Sequence, residues 1–224
     1  MTRTSGGRLA AAIVVGLAVL PLSGCLYAQI PEHPDIIDFD PSPSAAPSDD
    51  PVDEPDGDAP SAMSFADGAS LSASSYIQWG DGLMFDDNWK SVSPDDGNGH
   101  WTDGTVDGTC TAQFWQGFTS DVAVVAGDDS ASSDAMIAQI LGDATAAEIT
   151  PLAATVQLGY QVSGNPGLDA RQVVGANDGH DWMITTRAFT AAGAGVSVIV
   201  DCQGGDIDAV FAEVVEKNPI LIAG

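Results

Sequence analysis

The chain has 224 residues, and its 6 Lys and Arg against 32 Asp and Glu give a formal net charge of −26. That balance argues against a nucleic-acid partner, which needs clustered basic side chains, and against electrostatic docking on anionic lipid. Hydrophobic residues make up 44% of the chain, enough for a domain to bury a core, so a wholly disordered polymer is excluded as well. The plain reading of the acidity is a solvated surface, which leaves binding of cations or basic partners open.

The chain begins short, polar and positive, with Arg3 and Arg8, and continues as an apolar run from Leu9 to Leu22. A spanning helix needs about 20 such residues, so this run is too short to be a permanent anchor and suits the apolar core of an export signal. It ends at Leu22-Ser23-Gly24-Cys25, an aliphatic residue, two small residues and a thiol. Small residues let an extended chain enter a protease site, and a thiol is a nucleophile for lipid transfer. These four positions resemble the lipobox of bacterial lipoproteins of the actinobacterial type. The resemblance implies a signal peptide over 1–24, cleavage between Gly24 and Cys25, and diacylglyceryl and palmitate-type acyl groups on Cys25. It also implies a lipid anchor on the extracytoplasmic face of the cell membrane. An ordinary secretory signal with a chance cysteine is the alternative. There is no Arg-Arg pair, which favours general secretion over twin-arginine export. Cleavage would leave 4 basic against 32 acidic residues, or −28.

Residues 25–62 are dominated by Pro, Ser, Ala, Asp and Glu, with eight prolines from Pro31 to Pro60 and ten of the acids. Proline extends the backbone and like charges repel, which predicts a stiffened, disordered tether. At about 3.1 Å per residue it would reach roughly 110 Å. Ile30, Ile36, Ile37 and Phe39 interrupt it as an apolar cluster, which is open to docking on the domain or on a partner.

Residues 63–224 read as one globular domain, which holds all five tryptophans. Tyr76–Trp79, Leu83–Phe85 and Trp89–Val92 are short strand candidates, followed by a turn-rich loop over Asp95–His100. Cys110–Phe118 is an aromatic-rich strand. Ser132 or Ser133 caps a predicted helix that ends at Gly142, with Met136, Ile137, Ile140 and Leu141 on one face. Strands are predicted over Thr155–Val162, Gln172–Gly175, Trp182–Phe189 and Val196–Cys202, with a hairpin turn at Asn177-Asp178-Gly179, so the C-terminal half reads as an antiparallel meander. The last helix is capped by Asp206 and carries Ile207, Val210, Phe211, Val214 and Val215 at i, i+3, i+4, i+7 and i+8, with Lys217 at its end and Pro219 beyond. The fold class is therefore α+β: a curved antiparallel sheet with two helices on one face. The strand–strand–helix ending resembles the Mog1/PsbP-like domains of secreted actinobacterial lipoproteins, in architecture and without a shared motif.

With Cys25 assigned to lipid, Cys110 and Cys202 remain, and outside the cytoplasm two such thiols are expected to pair as a disulfide. The loop from Asp81 to Asp107 is rich in Asp, Asn and Gly, the donors calcium uses, but it lacks the spacing of a calcium-loop motif, and Asp and Asn beside Gly also make ordinary turns. His33, His100 and His180 are isolated, without zinc-ligand spacing. No GxSxG or SxxK marks a nucleophile, and His180-Asp181 has no partner serine marked by sequence. No catalytic residue, metal ligand or cofactor is therefore assigned. The expected function is that of a non-catalytic, membrane-anchored envelope lipoprotein that binds a small ligand or supports an envelope protein. A cation- or substrate-binding protein and a cell-wall hydrolase are the alternatives.

Overall fold

The computed structural model describes residues 35–36, 62–161 and 167–224; the expected signal peptide, Cys25 and the rest of the expected tether lie outside the described residues. The elements in chain order are β1 (Asp35–Ile36), α1 (Phe65–Gly68), β2 (Tyr76–Trp79), a 3-10 turn (Gly82–Phe85), β3 (Trp89–Ser93), β4 (His100–Thr105), β5 (Cys110–Phe118), α2 (Asp129–Leu141), α3 (Ala146–Ile149), β6 (Ala154–Leu158), β7 (Leu168–Asn177), β8 (His180–Phe189), β9 (Ala194–Cys202), α4 (Ile207–Lys217) and β10 (Ile220–Ala223).

The main sheet is antiparallel, in the order β1-β7-β8-β9-β5-β4-β3, with β6 beside β1 on the outer edge of β7. The predicted meander is β7-β8-β9, turned at Asn177-Asp178-Gly179. β5 enters next to β9 with nine paired positions, and this register sets Cys110 opposite Cys202. The two cysteines are bonded, 4.1 Å apart at Cα.

The α+β class and the antiparallel sheet agree with the sequence reading; the helix placement differs. Successive strand side chains point to opposite faces. On one face Ala112 and Phe114 of β5 and Val196, Val198 and Val200 of β9 form a core with Val214 of α4 and with Ile77, Trp79 and Ile220 of the β2–β10 ribbon. On the other, Val173 of β7 and Trp182 and Ile184 of β8 pack against Ile137 and Ala138 of α2 and Ile149 of α3. The two long helices thus lie on opposite faces rather than on one. The cause is legible in β8, where Trp182, Met183 and Ile184 are apolar at consecutive positions and every residue from Trp182 to Phe189 is buried, so both sides need cover.

Three further differences have local causes. Leu83–Phe85 is a 3-10 turn, because the Leu83 N–H donates to the side chain of Asn218 at 2.9 Å instead of to a strand. α2 starts at Asp129, capped by the Asp128 carboxylate, which accepts from the Ala131 N–H at 2.9 Å. Ser132 and Ser133 are buried inside it. The segment read as a disordered tether, with an apolar cluster open to docking, contributes β1, whose Asp35 and Ile36 pair with Ala176 and Gly175. Beyond the end of β6, β7 offers a free edge, and a β-pairing chain needs such an edge.

Candidate ligand cleft

Because α2 lies over β7 and β8, the same sheet face is left uncovered along β9, β5 and β4. A cleft of about 400 Å³ opens there between helix and sheet. Its floor is set by register: His100, Trp115 and Ser197 lie in one row across β4, β5 and β9, and Gln113 and Ile199 lie side by side in the next. Its helical wall is Met136, Gln139 and Ile140, which share a face of α2 at i, i+3 and i+4. Phe118 at the end of β5 and Asp121 and Val122 of the loop after it close the third side.

Trp115 is half-buried, with its ring 6.2 Å from that of His100 at a tilt of 41°. Its indole leans along the strand over Gly117, where a Cβ would stand 2.9 Å from the ring. A side chain at 117 would push the indole out of this position. Phe118, at the mouth, is 81% exposed, and Val124 and Val125 in the following loop are exposed as well. This loop is anchored rather than free. The Val125 N–H donates to Ser132 Oγ at 2.8 Å, and the Thr119 N–H donates to the Gly193 carbonyl at 2.9 Å.

Buried polar bonds fix the helical wall to the sheet. Asp129 and Arg187 form a fully buried ion pair at 3.2 Å. Asp129 Oδ1 also accepts from the Thr190 N–H and hydroxyl, at 2.8 and 2.7 Å. Arg187 donates further to the carbonyls of Asp169 and Ser64 and lies against the rings of Phe65 and Phe189. Burial pulls its pKa down to about 10, against the opposing pull of Asp129. One turn on, the Ser133 hydroxyl accepts from the Ala188 N–H at 2.9 Å. Asp134 accepts from Arg171 at 2.7 Å and from the Thr150 hydroxyl at 2.8 Å.

The acids from Asp81 to Asp107 do not converge. Asp95 accepts from the Gly97 N–H, Asp96 from the Asn98 N–H, and Asp107 from Thr105 and Thr109, all within their own turns. These bonds hold the carboxyls of Asp96 and Asp107 below the ordinary range. Asp86 is paired with Lys217, and this bond lowers its pKa. Asp103 is buried in β4, and burial pushes its carboxyl up. Among the described residues no group of three Asp, Glu, His or Cys side chains could hold a metal ion. His180 pairs through Nδ1 with Asp201 at 2.7 Å, across β8 and β9, instead of with its neighbour Asp181. Of the tryptophans, Trp79, Trp89 and Trp182 are core residues, Trp101 stacks on Phe114, and Trp115 reaches the cleft.

From sequence, β5 was visible as an aromatic strand, and its alternation already puts Trp115 and Phe114 on opposite faces. The residues that turn this face into a cleft, Gln139 and Ile140 on α2 and His100 on β4, carried no motif. His100 was read as the end of a loop. Lipidation at Cys25 and cleavage after Gly24 lie outside the described residues. Among the described residues no helix is long and apolar enough to cross a membrane.

No family model matches the chain, and no curated protein matches it. The Mog1/PsbP-like likeness therefore rests on the strand–strand–helix ending alone. Among solved structures the chain is similar to LpqN of Mycobacterium tuberculosis, described as involved in cell envelope biogenesis, at 12% identity and a TM-score of 0.28. That similarity covers 67% of this chain and 85% of LpqN, and at so low a TM-score it carries no argument about fold or function.

Proposed function

We propose that the protein is a lipid-anchored, extracytoplasmic envelope lipoprotein whose domain is a non-catalytic binding module, with the cleft beside α2 as its binding site. The address rests on the lipobox Leu22-Ser23-Gly24-Cys25 behind a short positive and apolar leader. Binding rests on one observation: the cleft joins an apolar lining to a few polar groups on a rigid frame. Met136, Ile140, Ile199 and Trp115 supply surface, and Gln113, Gln139 and Ser197 supply uncharged donors and acceptors. Ligand sites are built in this way, from apolar walls with sparse polar groups that fix orientation.

Two measurements test the two halves. Radiolabelled palmitate is expected to enter the wild-type protein and not Cys25→Ser; equal labelling of both overturns the anchor. For the cleft, the full-length Cys25→Ser chain in membrane-free buffer is expected to bind the neutral dye Nile red with a blue shift in emission. Gln139→Trp, at an exposed helix position, should block the cleft and abolish that shift without lowering Tm. An unchanged shift in this variant would remove the cleft as the site.

A further inference from the structure

Resting on the cleft as a binding site, the charges around it say which ligands it accepts. We infer that the cleft takes an organic cation, a protonated or quaternary amine carried on an apolar body. The described lining contains no Lys or Arg and one carboxylate, Asp121. The four basic residues beyond the leader are all engaged elsewhere: Arg171 with Asp134, Arg187 with Asp129, Lys217 with Asp86, and Lys90 with the Val106 carbonyl at 3.2 Å. A carboxylate, phosphate or sulfate in this cleft would lose water and meet no Lys or Arg, with His100 as the one basic side chain of the described lining. The 22 acids of the described domain, set against these four bases, repel an anion before it arrives and raise the local concentration of a cation.

The remaining lining suits a cation. Trp115 brings its aromatic ring to the cleft, and Asp121 lies on the loop that follows β5. Aromatic faces with one nearby carboxylate recognise ammonium groups through the ring quadrupole and a counter-charge. The apolar body then lies along Ile140 and Ile199, and the amide of Gln139 faces its edge.

Three probes with one apolar body test this: 4-phenylbutylamine, 4-phenylbutanol and 4-phenylbutanoate. They are titrated calorimetrically at pH 7 into the lipidated full-length protein in phosphatidylcholine nanodiscs, with empty nanodiscs subtracted. The amine is expected to bind about tenfold tighter than the alcohol, the scale of a cation–π contact joined to one partly screened ion pair, and the carboxylate weaker than the alcohol. Asp121→Asn, a change at an exposed position, should lower the amine's advantage several-fold and leave the alcohol unchanged. If the alcohol binds as tightly as the amine, the carboxylate binds tightest, or Asp121→Asn leaves the preference intact, the cation assignment is overturned and the cleft stands as a site. If none of the three binds, both the assignment and the cleft reading fall.

Discussion

Arg187 shows how far a single side chain can depart from its usual place. Arginine is seldom fully buried unless paired, yet this one has no exposed surface, and the cleft's helical wall depends on it. Its carboxylate partner, Asp129, is 58 positions away in the chain. Gly68 makes room for the pair, since a Cβ there would run into the guanidinium and the Asp129 carboxylate. Removing one partner of a buried pair leaves an uncompensated charge, so Asp129→Ala is expected to cost about 3–5 kcal/mol in urea denaturation. The double change Asp129→Leu with Arg187→Met should cost clearly less, because no lone charge remains. Equal losses in the two variants would show that packing, and not charge, sets the penalty. Nothing local to the sequence announces this pair: Arg187 sits inside Trp182–Phe189 as an ordinary strand residue, and Asp129 reads as one more acid in a loop.

Among the elements, α4 was the most legible, and the structure places it where its pattern said. Asp206 caps it through the Ala209 N–H at 3.1 Å, and its apolar stripe packs on the β5–β9 core. What its pattern did not reveal is how its end is held. Asn218, buried, accepts from Leu83, and Lys217 bonds Asp86, so the 3-10 turn is tied to the helix terminus by two side chains. The Asp86 bond raises the pKa of Lys217, and the same bond lowers that of Asp86. A lowered carboxyl pKa contributes stability that is present above the ordinary Asp value and is lost as pH falls through the lowered value. A raised lysine pKa contributes below the ordinary Lys value and is lost as pH rises through the raised one. Lys217→Met is therefore expected to lower Tm at pH 7. The difference from wild type should narrow in strong acid, where Asp86 is protonated, and also in high salt. A Tm gap that does not change from pH 7 to pH 2 would show that the lysine acts through its aliphatic stem instead.

For the whole molecule, the disulfide closes the longest constraint. It joins the inner strands β5 and β9 over a separation of 92 residues, enclosing α2, α3 and the meander in one covalent loop. Cross-linking a long loop restricts the unfolded chain, so the Cys110→Ala, Cys202→Ala double variant should lose about 2–5 kcal/mol with the same native cleft. A chemical denaturation midpoint unchanged from wild type would refute that. The pairing was readable from sequence because counting left two thiols in a chain expected to be exported. The disulfide's structural context was not readable, since only the β5–β9 register puts the two cysteines face to face. The tether shows the same split. Its composition gave an extended spacer, whereas the pairing of Asp35 and Ile36 with β7 ties the chain to the sheet ten residues after Cys25.

By itself the sequence determined what depends on neighbours along the chain: the α4 cap and stripe, the Asn177–Gly179 turn, the meander, and the inventory that paired Cys110 with Cys202. These follow from local geometry and composition, which a window of residues carries in full. Tertiary structure alone decided that the two long helices take opposite faces, that a buried Arg187–Asp129 pair holds α2 in place, and that His100, Trp115, Ser197 and Ile140 share one cleft. Each depends on strand register and on contacts between distant segments, whose free energy appears only when the whole sheet has formed.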